Sequence, residues 1–387
     1  MIQIYIGTKS VDESNKFFRK LWGLIAQILG QDSVGWCYTP YTIKKDNIVH
    51  LGNSSLGEIF FDYKIKGCIN NLFINCSEEN EESVRAAVKE AIAFDKGLLN
   101  KRVRIYFKNK VGYLFASNCY EGIVIKDEYI EFNIEVYSIL DLKHAITQVQ
   151  YMIECLLSEY TLTLFSTLKV EVGEGCKIKE DWMEYSYDYD WIDYDQIPIK
   201  DDSNTNSKII LPMEFFILLK SILTYKKTKK INLLLDASVA YHCAVVLHEE
   251  YSHNSEFSEL IDTQVITSLE TLAVLNSQNI PVIRCEECGN LKYSVVQKLK
   301  DLILKYEEAF IYKNLIEPAY RRRSRLVHEG IPRTKEIYSG AVFPLINEDE
   351  PSTMNNAMKY NDKFLLEFGG MLFRKVASEH LINNTPE

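Results

Sequence analysis

Apolar residues change their spacing part way along this chain, and that change constrains the fold more than any single residue does. In the first half, short apolar or alternating runs predict strands at Met1 to Ile6, Ile59-Phe60-Phe61, Asn71 to Ile74, Arg102 to Phe107, Gly122 to Ile125 and Tyr129 to Val136. Turn signals such as Ser117-Asn118 and Lys126-Asp127 separate them. A helical pattern starts near Val11 and runs to Leu29, and two more helices are predicted at Glu82 to Leu98 and Leu140 to Leu157. In the second half nearly every apolar stretch has the helical period, at Pro212 to Thr224, Ile231 to His248, Asp262 to Leu275, Lys292 to Tyr306, Pro318 to His328 and Asn361 to His380. Val295, Leu299, Leu302, Ile303 and Tyr306 mark one amphipathic face, and Leu365, Phe368, Leu372 and Val376 mark another. The expectation is an α+β protein of two domains: a mixed, largely antiparallel α+β domain at 1–172, then an all-α bundle at 208–387.

Between them, residues 173–207 differ in composition. Asp181-Trp182-Met183-Glu184-Tyr185-Ser186-Tyr187-Asp188-Tyr189-Asp190-Trp191 alternates acids with aromatics, and Asp201 to Ser207 is polar and turn-rich. Such a run is read as a linker laid against its neighbours, with nucleic-acid mimicry or docking of a basic partner as the alternative. Residues 1–200 hold 22 Lys and Arg against 29 Asp and Glu, and residues 201–387 hold 22 against 25. A net charge of −10 argues against coating nucleic acid by bulk electrostatics, so any RNA contact has to be local. No cleavable leader is read at the start, and Asp236 interrupts the most apolar stretch, Ile231 to His248, so a cytoplasmic protein without a membrane span is expected. The first half contains no Walker loop, no Gly-x-Gly-x-x-Gly and no repeat.

Chemistry concentrates in Tyr320-Arg321-Arg322-Arg323-Ser324-Arg325-Leu326-Val327-His328-Glu329-Gly330. Ile316, Ala319, Tyr320, Leu326 and Val327 form an apolar stripe, and Arg323, seven residues after Ile316, falls within it. Arg321, Arg322 and Arg325 fall off the stripe and are read as solvated charge and candidate RNA contacts. His328 lies about 7.5 Å further along the axis than Arg323. Gly330 suits the position past a helix end, and Pro332 prevents continuation. An arginine turned toward an apolar interface needs an anion, either an RNA phosphate or a structural carboxylate, for which Glu317 and Glu329 are the local choices. In the structural alternative, His328 simply caps a helix C-terminus.

Arg-Ser-Arg-Leu-Val-His-Glu-Gly resembles the Arg-x4-His signature of the HEPN superfamily, in particular its Apea-like group, and the resemblance covers roughly residues 210–385. It implies a metal-independent endoribonuclease working at a homodimer cleft. Arg323 would hold the scissile phosphate, His328 would move protons, and Ser324 would occupy the motif position that often carries Asn, Asp or His in active members. It also implies RNA as partner, no required cofactor, and membership of a prokaryotic defence or toxin system. The alternative is a HEPN bundle that only binds RNA, nucleotide or protein as a dimerisation module. No resemblance is found for the first half.

Cys285-Glu286-Glu287-Cys288-Gly289 is the second chemical feature. Two thiolates so spaced hold half a zinc tetrahedron, for which His242, Cys243, His248 or His253 are candidate completers. Ordinary reduced cysteines in an interhelical loop are the other reading, consistent with nine scattered cysteines in a reducing compartment.

Overall fold

A computed structural model describes residues 1–29, 42–43, 48–54, 57–65, 67–93, 97–110, 112–173, 176–177, 199–200, 208–225, 228–251, 257–277, 295–329, 345–346, 354–355 and 362–382. The protein is mixed α+β, but it does not divide at residue 172. One compact unit comprises Met1–Lys101 and Ile134–Gln148, and the other comprises Arg102–Asn133 and Val149–Glu387. Most of residues 173–207 lie outside the described residues.

In the first unit the chain runs β1 (Ile2–Tyr5), α1 (Val11–Leu29), β2 (Thr42–Ile43), β3 (Ile48–Ser54), β4 (Gly57–Ile65), β5 (Cys68–Asn75) and α2 (Glu78–Ala91). Its sheet has the order β1-β5-β4-β3-β2, with every neighbour antiparallel. Register stacks apolar residues into rows: Ile2 faces Ile74, which faces Ile59, and Ile4 faces Leu72, which faces Phe61. Against these rows α1 places Phe17, Leu21 and Ile25, and α2 places Val84, Val88 and Ala91, each set on one face of its helix. Each such large side chain contributes about 1.5–3 kcal/mol by leaving water. Helix α2 begins four residues before the predicted start because Glu78, Glu79 and Glu81 suit a helix N-terminus. Leu98, expected to end that helix, instead leads into a strand that starts at Leu99.

The strands and helices that follow are β6 (Leu99–Asn109), β7 (Leu114–Tyr120), β8 (Ile123–Asp127), β9 (Tyr129–Val136), α3 (Ile139–Thr161), β10 (Phe165–Val172), β11 (Cys176–Lys177), β12 (Ile199–Lys200) and β13 (Lys208–Ile209). They form a sheet of order β11-β10-β6-β9-β8-β7-β13-β12. Strand β13, expected within an all-helical domain, pairs in parallel with β7, Lys208 beside Leu114 and Ile209 beside Phe115. That pairing satisfies backbone groups β7 would otherwise leave open at an edge, and it is why the chain does not separate at the expected boundary. Val103, Ile105, Phe107, Ile130 and Phe132 line the inner face, where Phe115 stacks on Phe165 at 5.1 Å.

Helices α4 (Met213–Leu223), α5 (Lys229–Tyr251), α6 (Ser258–Asn276), α7 (Val295–Tyr306), a short α8 (Ala309–Ile311), α9 (Glu317–Glu329) and α10 (Asp362–Leu381) complete the second unit, with a small hairpin of β14 (Leu345–Ile346) and β15 (Met354–Asn355) before α10. Helix α6 is the hub, packing against α5, α7, α9 and α10. Its Val265, Ile266, Leu269, Leu272 and Ala273 are fully buried. By length and composition α5 is, among the described residues, the one helix that is apolar enough to cross a membrane. Its Leu234, Tyr241 and Val245 are buried within the unit. Helix α10 closes against the bundle at Gly370, where an added Cβ would meet a Leu162 methyl at 2.5 Å and the Tyr241 hydroxyl at 2.9 Å. That hydroxyl donates to the Leu366 carbonyl at 2.7 Å.

Candidate functional site

Helix α9 continues a helical path that starts at Ala309, and between α8 and α9 the backbone makes a π turn over Tyr312–Ile316. Pro318 explains the irregularity. It has no N–H to offer the Asn314 carbonyl and its ring crowds that turn, so the α-helical ladder cannot pass through unchanged. Tyr312, Leu315, Ile316 and Ala319 are buried and fix the helix against the bundle. The next turn carries the arginines.

Arg323 points toward α6, as its place in the apolar stripe predicts. Its Nη2 lies 3.0 Å from Oε2 of Glu270, and the side chains are only 19% and 15% exposed. The guanidinium is thus held by a carboxylate from another helix rather than by Glu317 or Glu329. Glu317 instead takes Arg321 on the outer surface of α9 at 2.9 Å, and the side chain of Glu329 is outside the described residues. The buried Nε of Arg323 has no hydrogen-bond partner among the described residues. Burial pushes the Glu270 carboxyl above the usual carboxylate range, offset in part by the charges of Arg323 and His328. His328, a turn and a half beyond Arg323, is exposed, and its electrostatic effect on Glu270 puts it in the same neighbourhood. Tyr320 belongs there too: burial and Glu270 raise its phenol, Arg323 lowers it, and the net effect keeps it protonated.

Arg322 departs from expectation. The reading as solvated charge and RNA contact put it on the wet face, yet it donates through Nε and Nη2 to Oδ2 of Asp262 at 3.0 and 2.7 Å. Asp262 is 1% exposed and Arg322 18%. Consecutive arginines diverge by about 100° round α9, and their long side chains reach Asp262 and Glu270, eight residues apart on α6. Arg321 and Arg325 are exposed as predicted, and Ser324 is half-buried.

Glu270, Asp262 and Tyr320 are the residues that sequence reasoning missed. Asp262 and Glu270, interspersed among the buried Ile261, Val265, Ile266 and Leu269 of α6, were a usable signal, since an acid in a buried stripe demands a cation. Gly330 and Pro332, expected to end α9, lie outside the described residues, as do Cys285, Cys288 and His253. Of the other suggested zinc ligands, His242 is buried with its Nδ1 2.8 Å from the Ser158 hydroxyl, and Cys243 is half-buried. Among the described residues no group of three or more His, Cys, Asp or Glu is arranged to hold a metal ion.

Comparison with protein-family models, with curated proteins and with solved structures finds no match for the chain.

Proposed function

We propose that the protein is a metal-independent endoribonuclease of HEPN type, acting on RNA in the cytoplasm as a homodimer, within a prokaryotic defence or toxin system. One observation carries the reading: α9 turns Arg323 inward toward α6 while His328, five residues on along the same helix, stays open to solvent. Arg323 would bind the scissile phosphate and stabilise charge on the pentacoordinate transition state; losing one such donor costs about 10²–10³ in rate. His328 would take the proton of the ribose 2′-hydroxyl as O2′ attacks phosphorus, or supply one to the departing O5′, worth about 10²–10⁴. The products are a 2′,3′-cyclic phosphate and a 5′-hydroxyl. Arg321 and Arg325 supply exposed positive charge along the same helix. The chemistry needs no cofactor, and a zinc ion on Cys285 and Cys288 would serve structure alone.

A second reading is a HEPN bundle that binds RNA, nucleotide or protein without cutting. The engagement of Arg323 by Glu270 favours it, because a phosphate has to compete with a carboxylate already in place. Incubation of labelled single-stranded RNA with the protein in EDTA decides between them. Cleavage to cyclic-phosphate ends that Arg323→Ala and His328→Ala both abolish is the expected result. Equal cleavage by all three proteins would overturn the site, and none by any would favour the binding module.

A further inference from the structure

On the sheet of the second unit the outer face carries an ordered set of cations and phenols. Along β6, Arg102, Arg104, Tyr106 and Lys108 alternate with buried Val103, Ile105 and Phe107, so the four share that face. Neighbouring strands extend it: Lys169 and Glu171 of β10 sit opposite Tyr106 and Arg104, and Lys126 of β8 sits opposite Tyr129 of β9. Glu131 of β9 takes Arg102 on one carboxylate oxygen and Arg104 on the other, the latter through Nε at 3.0 Å and Nη2 at 2.6 Å. Arg104 lies 4.6 Å above the Tyr129 ring, Lys169 lies 4.9 Å from the Tyr106 ring, and the two rings are 5.3 Å apart. Glu171 accepts from Tyr106 at 3.1 Å, pairs with the Lys169 ammonium and lies 3.5 Å from Nη1 of Arg104, so a phosphate would share Lys169 with it.

Arg102, Arg104, Lys108, Lys126 and Lys169 therefore gather around Glu131 and Glu171, with Glu135 further along the same face of β9, in a chain whose net charge is −10. Depth decides what solvent encounters. Glu131 is 6% exposed, whereas Arg102 is 67% and Lys169 57% exposed, so the shared acid lies beneath and the cations lie on top. Lys108 and Lys126 are exposed and have no ion-pair partner among the described residues. One arginine is enough to neutralise the buried Glu131, so the second leaves a net positive charge held in a fixed place. Locking them removes the rotamer cost of presenting two guanidiniums to a ligand.

We propose that this face binds single-stranded RNA. Lys108, Lys126 and Lys169 would meet backbone phosphates, and the Arg104 guanidinium stacked on Tyr129 would offer its outer plane to a base. RNA as the occupant rests on the ribonuclease reading of Arg323 and His328, and the face gives such a substrate a contact away from the reacting bond.

The test measures anisotropy of a fluorescent single-stranded RNA of about 20 nucleotides, longer than the roughly 4–16 nucleotides one such face covers. The full chain carries His328→Ala so that RNA stays intact. Lys108→Glu/Lys126→Glu/Lys169→Glu should weaken binding at least about a hundredfold at low salt and reduce the slope against log salt by about 2. Tyr129→Leu should weaken it about tenfold with less change in slope. Circular dichroism melts establish that each variant folds. Undiminished binding by the triple variant, no binding by the parent, or equal competition by duplex RNA would each overturn the proposal. Intact binding with no cleavage by the protein carrying His328 would refute the nuclease reading and leave this one standing.

Discussion

Arg322→Ala and Arg323→Ala, adjacent in sequence, should separate structural support from chemistry. Arg322 makes two hydrogen bonds to a carboxylate that is 1% exposed. Removing it takes two hydrogen bonds and a counter-charge from the buried Asp262, and breaking a buried pair in this way costs about 3–5 kcal/mol. The lower end applies because Arg322 retains some contact with water. Arg323 makes a single 3.0 Å contact with Glu270, whose carboxyl burial has already pushed up. Once alone, Glu270 can take up a proton instead of remaining an orphan ion, so the loss should be about 1 kcal/mol. At about 2–4 °C per kcal/mol for a domain of 150–250 residues, the melting midpoint should fall by about 6–12 °C for Arg322→Ala and about 2–4 °C for Arg323→Ala. Calorimetry at neutral pH reads the difference, with RNA cleavage assayed on the same samples. The reasoning fails if Arg323→Ala is the more destabilising, since Arg323 would then be the structural member of the two.

Burial pushes the His242 imidazole down to about 4, so the folded protein binds this proton less readily than the unfolded chain. Its contribution is complete above the ordinary value near 6.5 and is lost as pH falls from there through about 4, amounting to roughly 3 kcal/mol. Urea unfolding across that window should show the loss in the native protein and a flatter profile in His242→Gln. Gly370→Ala drives a methyl into Leu162 and Tyr241, and overpacking of this kind costs about 1–3 kcal/mol, read as a lower melting midpoint with cleavage chemistry untouched.

The elements that the sequence made legible are those whose period is written locally. Phe17, Leu21 and Ile25 repeat every four residues, and the helix they predict forms with the expected limits. Strands were harder. Ser117-Asn118, read as a turn, lies inside β7, where the register shifts between Phe115 and Asn118 and the strand continues past the irregularity. Lys208-Ile209 offers two residues of strand, too few to show a period, and its pairing with β7 depends on a partner about ninety residues away. The site divides in the same way. Arg323 in the stripe follows from spacing along its own helix, whereas Glu270 does not, because that contact spans 53 residues and depends on how α6 and α9 pack. The local carboxylates, Glu317 and Glu329, each lie six residues from the arginine along its own helix; the fold supplies one from another helix.

The π turn before α9 acts as a phase adjuster for everything downstream. A π turn holds one residue more than the α-helical path requires, and each residue turns a helix by about 100°. Deleting one residue from Tyr312–Ile316 would let the path close as ordinary helix and swing the following side chains round by that angle. Arg322 and Arg323 would then leave Asp262 and Glu270, and the face now packed on α6 would present other residues. Among related chains, length changes should therefore be rare in these five positions, even though none of them carries the proposed chemistry.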